Sequence, residues 1–412
     1  MTTAAIELRR DIKVISLIGL AHGLSHFYQL VLPPLFPLLK DAFGVSYTKL
    51  GLMMTIFYVM SGVFQTPAGF LVDRWGAKQV LTAGLALVAG AVLLMGFVSS
   101  FGMLVVLAAL AGLGNSVFHP ADYAILSASV NQSRMGRAYS IHTFTGNVGW
   151  ALAPAFMGVA GAALGWHGAL LLAGAIGLVV VVLLIVQGGE LRNEEKHAAP
   201  ARASAPAPAL GLAARLQLFL TRPILLCFLY FLFTAFFIVG MQNFGVPAMM
   251  QIFEMDLVTA GGALTALLVA ASVGTLCGGV MADRSTHHDR IAMTGLLAAG
   301  VLVALIPVLP LEAVTLTVLA GAAGFALGVT YPSRDMIARA AAPKGATGKV
   351  FGFVYSGLDL GSALSPTALG ALLDHGQPSV LFWAIAGALI CAVMTVSTIG
   401  RANQRAVRVP AE

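Results

Sequence analysis

The sequence predicts an all-α polytopic membrane protein whose twelve transmembrane helices form two pseudo-symmetric six-helix bundles. Three observations predict this fold: an apolar composition, a series of long apolar segments, and an internal repeat. Of the 412 residues, 58% are hydrophobic and only 10% are charged, whereas an ordinary soluble domain has about 25% charged residues. This composition excludes a soluble globular enzyme, and it excludes a disordered chain because such chains are poor in apolar residues.

Apolar segments long enough to cross a bilayer recur along most of the chain. The run over 168–187 does not alternate polar and apolar residues, so the spans are predicted to be helices rather than strands of an outer-membrane barrel. The predicted spans are 13–39, 48–72, 79–98, 101–126, 137–161, 164–187, 222–249, 258–281, 290–309, 312–336, 348–372 and 378–399.

The segment between the sixth and seventh spans concentrates charge, alanine and proline, which is typical of a flexible linker. We therefore predict an N-terminal bundle over 1–187, a cytoplasmic linker over 188–221 and a C-terminal bundle over 222–412.

Lysine and arginine positions predict the orientation in the membrane. With both termini in the cytoplasm, all 23 of these residues except Lys40, Lys49 and Arg334 fall on the cytoplasmic side, as the positive-inside rule requires. This topology accounts for the net charge of +6, so no nucleic-acid partner is expected. The expected partners are the lipid bilayer, protons and a small-molecule substrate, and the protein is expected to be a monomer.

The two halves of the chain repeat each other. Residues 112–154 align without gaps on residues 324–366 at an offset of 212, which superposes Gly112 on Gly324 and Pro120 on Pro332. Two six-helix halves in the same orientation are typical of a transporter architecture with its substrate site between the halves, near the midplane. A channel is the weaker alternative because the chain has no carbonyl-rich filter sequence.

A motif of the form GxxxDRxGxK occupies 69–78, at the cytoplasmic end of the second span, and a shorter copy lies at 279–284. Glycine permits a close approach of two helices, and an Asp at a helix end can cap a neighbouring helix. We expect contacts of this kind to form and break during a conformational switch. The motif residues assigned to this switch are Gly69, Asp73, Arg74, Asp283 and Arg284.

The two motif copies, the twelve spans and the central linker resemble the major facilitator superfamily over essentially the whole chain. Three stretches, 22–39, 112–124 and the Gly146-Asn147-x-Gly149 segment, resemble the fosmidomycin-resistance-type transporters, a family of proton-linked exporters. The resemblance implies the major facilitator fold, a location in the bacterial inner membrane, and proton-coupled drug efflux by antiport. Arg334 and Asp359 depart from that family's pattern.

Polar residues within the spans are candidate functional residues because charge and polarity are costly in a bilayer. His22 and His26 are four residues apart and share one helical face. They lie about 14 and 20 Å beyond Lys13 at 1.5 Å per residue, on either side of the midplane of a core about 30 Å thick. The predicted substrate-binding or proton-coupling residues are His22, His26, Gln29, His119, His142, Asn147, Gln242, Asn243, Tyr331 and Asp359. Histidines satisfied by hydrogen bonds inside a packed bundle are the alternative interpretation.

Asp122 and Arg334 occupy equivalent positions of the repeat, near the cytoplasmic ends of their spans. We predict that they form a salt bridge that closes the cytoplasmic side, and an Arg334–Asp335 pair is the alternative. Pro120 is expected to bend the fourth span or to end its regular hydrogen-bond pairing.

These features predict a secondary transporter that works by alternating access and exports small anions such as a phosphonate or carboxylate. Proton entry at His26 or Asp359 is expected to release the substrate. No phosphate-binding loop is present, so neither ATP nor another cofactor is expected. Uptake or exchange of an organic acid is the first alternative. Metal-ion or metallophore transport is the second, and it requires His22, His26 and His142 to converge within about 2 Å of one ion; no metal site is otherwise predicted.

Overall fold

A computed structural model describes residues 3–191, 220–343 and 347–408, which are mostly helical and contain no strand. Ten helical segments among them are long and apolar enough to cross a membrane. One of these, Arg137–Glu190, holds two spans, because Gly165 has a φ of 67° and interrupts the helix. The helix Thr347–Asp374 supplies one more. The described residues therefore contain the twelve predicted spans, and the all-α fold is confirmed.

Contacts between Cα atoms divide the chain into two compact units, Met1–Ala201 and Arg202–Glu412. The division falls within the predicted linker, but residues 192–219 of that linker lie outside the described residues. The predicted bounds of the two bundles stay a prediction.

The first unit contains seven helices among its described residues. They are α1 (Thr3–Gln29), α2 (Phe36–Phe43), α3 (Tyr47–Trp75), α4 (Ala77–Met95), α5 (Phe101–Asn115), α6 (Phe118–Ser129) and α7 (Met135–Gln187). Short 3₁₀ turns lie at Pro33–Leu35, Gln132–Arg134 and Gly188–Glu190.

The second unit contains seven helices in its described part. They are α8 (Arg222–Gly240), α9 (Val246–Phe253), α10 (Leu257–Arg284), α11 (His288–Leu305), α12 (Ala313–Ala341), α13 (Thr347–Asp374) and α14 (Pro378–Arg408). A π-helical turn, Met241–Gly245, joins α8 to α9.

The fourth predicted span is broken just before its proline. α5 ends at Asn115 and α6 begins at Phe118, because Pro120 has no N–H to continue the helical hydrogen bonds. The Ser116 hydroxyl donates to the Leu113 carbonyl, 2.7 Å away, and so replaces part of what is lost. The predicted effect of Pro120 is confirmed, whereas its repeat partner Pro332 lies within the continuous helix α12.

The same glycine contact packs the fourth helical span against the second in each unit. A Cβ atom added at Gly112 would overlap the carbonyl oxygen of Phe57, and one added at Gly324 would overlap the carbonyl oxygen of Leu267. Gly112 and Gly324 are the residues that the 212-residue offset superposes. The internal repeat is therefore a repeat of packing, in which two helices approach as closely as a glycine allows.

A second pair of contacts repeats between the first and fifth spans of each unit. An added Cβ at Gly149 would overlap the carbonyl oxygen of Gly23, and one at Gly361 would overlap that of Leu232. This contact brings α7 against α1 in the first unit, and it fixes which polar side chains of these two helices meet.

Candidate functional site

Three buried side chains from three helices of the first unit form a hydrogen-bonded triad, His22, Asp122 and His142. The Nδ1 atom of His22 on α1 and the Nε2 atom of His142 on α7 each lie 3.1 Å from Oδ2 of Asp122 on α6. The two imidazole rings are stacked, with centroids 3.6 Å apart. Asp122 is fully buried, and each histidine is 2% exposed.

The triad can hold and move a proton. An ionised carboxylate only accepts hydrogen bonds. When Asp122 is ionised, Nδ1 of His22 and Nε2 of His142 therefore each carry a proton. A proton can then shift between a ring nitrogen and the carboxylate without a change in heavy-atom positions. Oδ1 of Asp122 is buried with no partner among the described residues. Because an unpaired buried oxygen is costly, this atom is a second place for a proton.

His26 extends the triad away from Asp122. Its ring lies 4.4 Å from that of His22 and stacks 4.2 Å from the indole of Trp150. The indole Nε1 donates to Oε1 of Gln29 at 3.1 Å. Gly146 makes room for the imidazoles, because a Cβ there would lie 2.8 Å from the His26 ring and 2.9 Å from Nε2 of His22. The structure thus brings the predicted residues His26 and Gln29 together with His22.

His119 is the exposed member of the group. Its ring centroid lies 5.4 Å from that of His22 and 6.4 Å from that of His142, and its side chain is exposed, unlike those of the other three histidines. The break between α5 and α6 places His119 on the first turn of α6. The imidazoles therefore run from an exposed ring to buried ones, and we call these four histidines with Asp122 the His–Asp cluster.

A chain of uncharged polar groups adjoins the cluster and is not apparent from the sequence. The Ser25 hydroxyl donates to Oδ1 of Asn115 at 3.1 Å, and Nδ2 of Asn115 donates to the Ser61 hydroxyl at 2.9 Å. Ser25 lies between His22 and His26 in the sequence, whereas nothing in the local sequence of Asn115 or Ser61 indicates this chain.

The triad is also the set of described residues that could hold a metal ion, with one ligand atom from each residue within 4.8 Å of the others. The set contains Asp122 in place of His26, so it differs from the set that the metal alternative requires. Two nitrogens share one carboxylate oxygen at hydrogen-bond distance, and we therefore interpret the three residues as a hydrogen-bonded triad.

The second unit holds a largely buried cation, Arg334, near the equivalent position. The guanidinium of Arg334 lies 4.3 Å from the ring centroid of Phe231 and 5.0 Å from that of Tyr331. Its Nε donates to Oδ1 of Asp335 at 3.1 Å, and the hydroxyl of Tyr355 donates to the same oxygen at 3.4 Å. The predicted residue Tyr331 therefore lies beside Arg334, as His119 lies beside Asp122.

The predicted amides of the seventh span lie in the π-helical turn. Gln242 is 3% exposed and Asn243 is fully buried. Nδ2 of Asn243 donates to the Val239 carbonyl at 2.8 Å, but Nε2 of Gln242 and Oδ1 of Asn243 are buried without a partner in the described chain. Single π-helical turns occur frequently at functional sites. Asn147 is half-buried on α7, and Asp359 is exposed on α13.

Comparison with known protein families decides the assignment. The sequence profile of the Major Facilitator Superfamily matches residues 18–320 and 233–410. The chain belongs to this superfamily. It is therefore a secondary transporter with multiple membrane-spanning helices, and not an enzyme.

Individual superfamily members are distant in sequence. The chain is 24% identical over 399 residues to the fosmidomycin resistance protein of Escherichia coli (strain K12), covering 95% of this chain and 93% of that protein. It is 26% identical over 356 residues to the membrane sensor protein UhpC of the same strain, covering 82% and 80%. A crystal structure of a bacterial homologue of the human lysosomal transporter Spinster superposes with a TM-score of 0.77 at 15% identity, covering 97% and 98%. This likeness shows the fold.

The superfamily motif at the ends of α3 and α10 is exposed. Asp73 and Arg74 in one copy, and Asp283 and Arg284 in the other, all have exposed side chains. The expected close approach at the motif glycines is not present in the described structure, because a Cβ added at Gly69 or Gly279 meets no heavy atom within 4 Å. The expected side-chain cap is also not seen on α4, which begins after Gly76. The role of this superfamily motif in switching stays a prediction.

Asp122 and Arg334 each have a partner in their own unit. Asp122 accepts from His22 and His142, and Arg334 donates to Asp335. The Arg334–Asp335 pair is the arrangement predicted as the alternative. A bridge between Asp122 and Arg334 stays a prediction, and it would have to replace these contacts at some stage of the transport cycle.

Proposed function

We propose that the protein couples proton movement to the export of small anionic molecules that carry a phosphonate or carboxylate group. The observation that carries this proposal is the burial of Asp122 between His22 and His142, each at 3.1 Å from one oxygen. Ionisable groups within membrane spans mark proton relays and substrate pathways. The His–Asp cluster supplies a buried carboxylate, three buried imidazoles and an exposed imidazole through which a proton can enter.

The anionic substrate class is supported by the cation of the second unit. The guanidinium of Arg334 is a positive charge within a predicted membrane span. A guanidinium binds carboxylate and phosphonate oxygens through paired hydrogen bonds. The resemblance to the fosmidomycin resistance protein points in the same direction.

Proton-coupled uptake or exchange of an organic acid is a second candidate, and the Arg334–Asp335 pair favours it. In an antiporter the proton and the substrate compete for the carrier. A proton and an anion have opposite charges, so a carrier can also bind them together, as uptake by symport requires. Displacement of the Asp335 carboxylate would leave Arg334 without its 3.1 Å partner and able to bind the carboxylate of an organic acid. Uptake uses the same residues as export and differs in the direction in which the substrate moves relative to the proton.

Transport in proteoliposomes that enclose a pH-sensitive dye tests the proposal. Fosmidomycin, succinate, a lipophilic cation and Zn²⁺ would be added outside in turn, and protein-free liposomes correct for passive permeation. Export by antiport predicts that inward movement of fosmidomycin makes the interior more alkaline. A more acidic interior would indicate symport and the uptake candidate, and a response to Zn²⁺ alone would indicate metal transport.

The proton site is tested with a matched pair of variants. Asp122→Asn removes the carboxylate of the triad, and we expect the proton flux to fall at least about tenfold, since general acid–base groups contribute factors of this size or more. Asp41→Asn makes the same chemical change at an exposed residue near the end of α2 and should leave the flux unchanged. Equal fluxes in wild type and Asp122→Asn would exclude the triad as the proton site.

A further inference from the structure

The surroundings of Arg334 differ from those of an ordinary ion pair. The guanidinium lies over the rings of Phe231 on α8 and Tyr331 on its own helix, so two aromatic faces hold it in place. Its side chain is 12% exposed, whereas that of Asp335 is 41% exposed. The guanidinium of Arg334 is therefore held in one position, whereas the more exposed carboxylate of Asp335 has room to move.

The geometry of the pair makes Asp335 a weak hydrogen-bond partner for Arg334. Consecutive residues of a helix do not face each other, and Asp335 reaches Arg334 only through Nε. The Tyr355 hydroxyl on α13 holds the same carboxylate oxygen from the other side, at 3.4 Å. A guanidinium binds an external carboxylate or phosphonate through two parallel hydrogen bonds, so an incoming oxyanion makes a better contact than the internal one.

We propose that Arg334 is an oxyanion-binding site which Asp335 occupies in the unloaded protein and leaves when a substrate carboxylate or phosphonate binds. This inference rests on the anionic substrate class of the proposed function, and it names the residue that binds the anion and the residue that competes with it. While the site is unloaded, Asp335 neutralises a cation that would otherwise be unpaired within a membrane span.

Calorimetry on the purified full-length protein tests this inference, with fosmidomycin and succinate as probes. Asp335→Asn removes the competing charge, and we expect the dissociation constant for the anion to fall about tenfold, the size expected for losing a competing charged hydrogen bond. Tyr355→Phe releases one restraint on Asp335 and should have a smaller effect in the same direction. Arg334→Gln should abolish binding of both probes. Glu312→Gln, which removes an exposed carboxylate at the start of α12, is the matched control and should bind like wild type.

Equal affinity in wild type and Asp335→Asn overturns this inference, as does binding that survives Arg334→Gln. Absence of anion-driven proton flux in wild-type proteoliposomes is a failure of the proposed function instead. Binding of either probe to Asp335→Asn would then still support the oxyanion site, and binding to neither would overturn both.

Discussion

The Nδ1 atom of His22 lies 3.1 Å from Oδ2 of Asp122, although 100 residues separate them in the chain. Nε2 of His142, which follows Asp122 by 20 residues in the chain, lies at the same distance from the same oxygen. One carboxylate oxygen thus joins α1, α6 and α7 at a fully buried point. Because low polarity strengthens hydrogen bonds and makes unpaired groups costly, the three residues should behave as one energetic unit.

A double-mutant cycle measures that coupling. His22→Ala should destabilise the wild-type protein more than it destabilises Asp122→Asn, with a coupling free energy of about 1–2 kcal/mol, within the range found for residues of one network. The free energy of unfolding would be measured by denaturant titration in detergent micelles. The same cycle between His22 and Asp11, which lies near the other end of α1 and bonds to Asn131 and Arg134, should be additive. Additivity between His22 and Asp122 would contradict the shared hydrogen-bond network.

Gly146 is predicted to be essential for the arrangement of the imidazoles. In Gly146→Ala the new Cβ would lie within 3.0 Å of both the His26 and His22 rings, and overpacking of this kind costs about 1–3 kcal/mol. We expect a lower unfolding temperature together with reduced proton flux. Gly90→Ala on α4 is the control, because a Cβ there meets no heavy atom within 4 Å among the described residues. That variant should be neutral or slightly stabilised, and equal behaviour of the two variants would exclude a steric role for Gly146.

Asp11 is expected to anchor the start of α1 to the segment that joins α6 to α7. Its buried Oδ2 accepts from Nε of Arg134 at 2.8 Å and from the backbone N–H of Asn131 at 3.0 Å. Asp11→Ala should therefore lower the free energy of unfolding by about 2–3 kcal/mol, the cost of removing hydrogen bonds to a charged group. Arg10→Ala removes only a 3.5 Å contact to the other oxygen and should have a much smaller effect. A loss in Arg10→Ala as large as that in Asp11→Ala would show that the contacts of Asp11 with Arg134 and Asn131 are not the anchor.

Asp256 is predicted to make the start of α10 sensitive to acid. Its carboxylate accepts from the side chain and backbone of Thr259 and from the backbone N–H of Val258, and these bonds lower the pKa of Asp256 below its ordinary value of 3.8. The folded state therefore binds the proton less tightly than the unfolded state. The stabilisation is fully present above pH 3.8 and is lost as the pH falls below 3.8 through the lowered pKa.

Thermal unfolding between pH 3 and pH 6 measures this contribution. Asp256→Ala should lower stability near pH 6 by about 1 kcal/mol, as the loss of a helix N-cap does, and the difference from wild type should shrink toward pH 3. Asp256→Asn keeps a side-chain cap without the charge, so its stability should depend less on pH than that of the wild-type protein. A difference between wild type and Asp256→Ala that grows as the pH falls would contradict the sign of this linkage.

The sequence by itself determined the fold. Apolar runs about twenty residues long are a local property that the bilayer selects directly, so the twelve spans needed no knowledge of the tertiary structure. The 212-residue offset likewise predicted which glycines are equivalent, and the structure shows why: Gly112 and Gly324 each meet the backbone of a neighbouring helix. The disturbance at Pro120 was predicted from its missing N–H. Its repeat partner Pro332 lies within the continuous helix α12, so the proline alone does not decide where a span breaks.

Only the tertiary structure decided which polar residues meet. Spacing along one helix joins His22 to His26, but it contains no information about a partner on another helix. The repeat alone predicts a salt bridge between Asp122 and Arg334, while in the structure Asp122 accepts from His22 and His142. The physical reason is packing: the contact of Gly149 with Gly23, and the room left at Gly146, set the depth at which α1 and α7 face each other. Distances of 3.1 Å between side chains on three helices follow from that packing and cannot be read from local sequence.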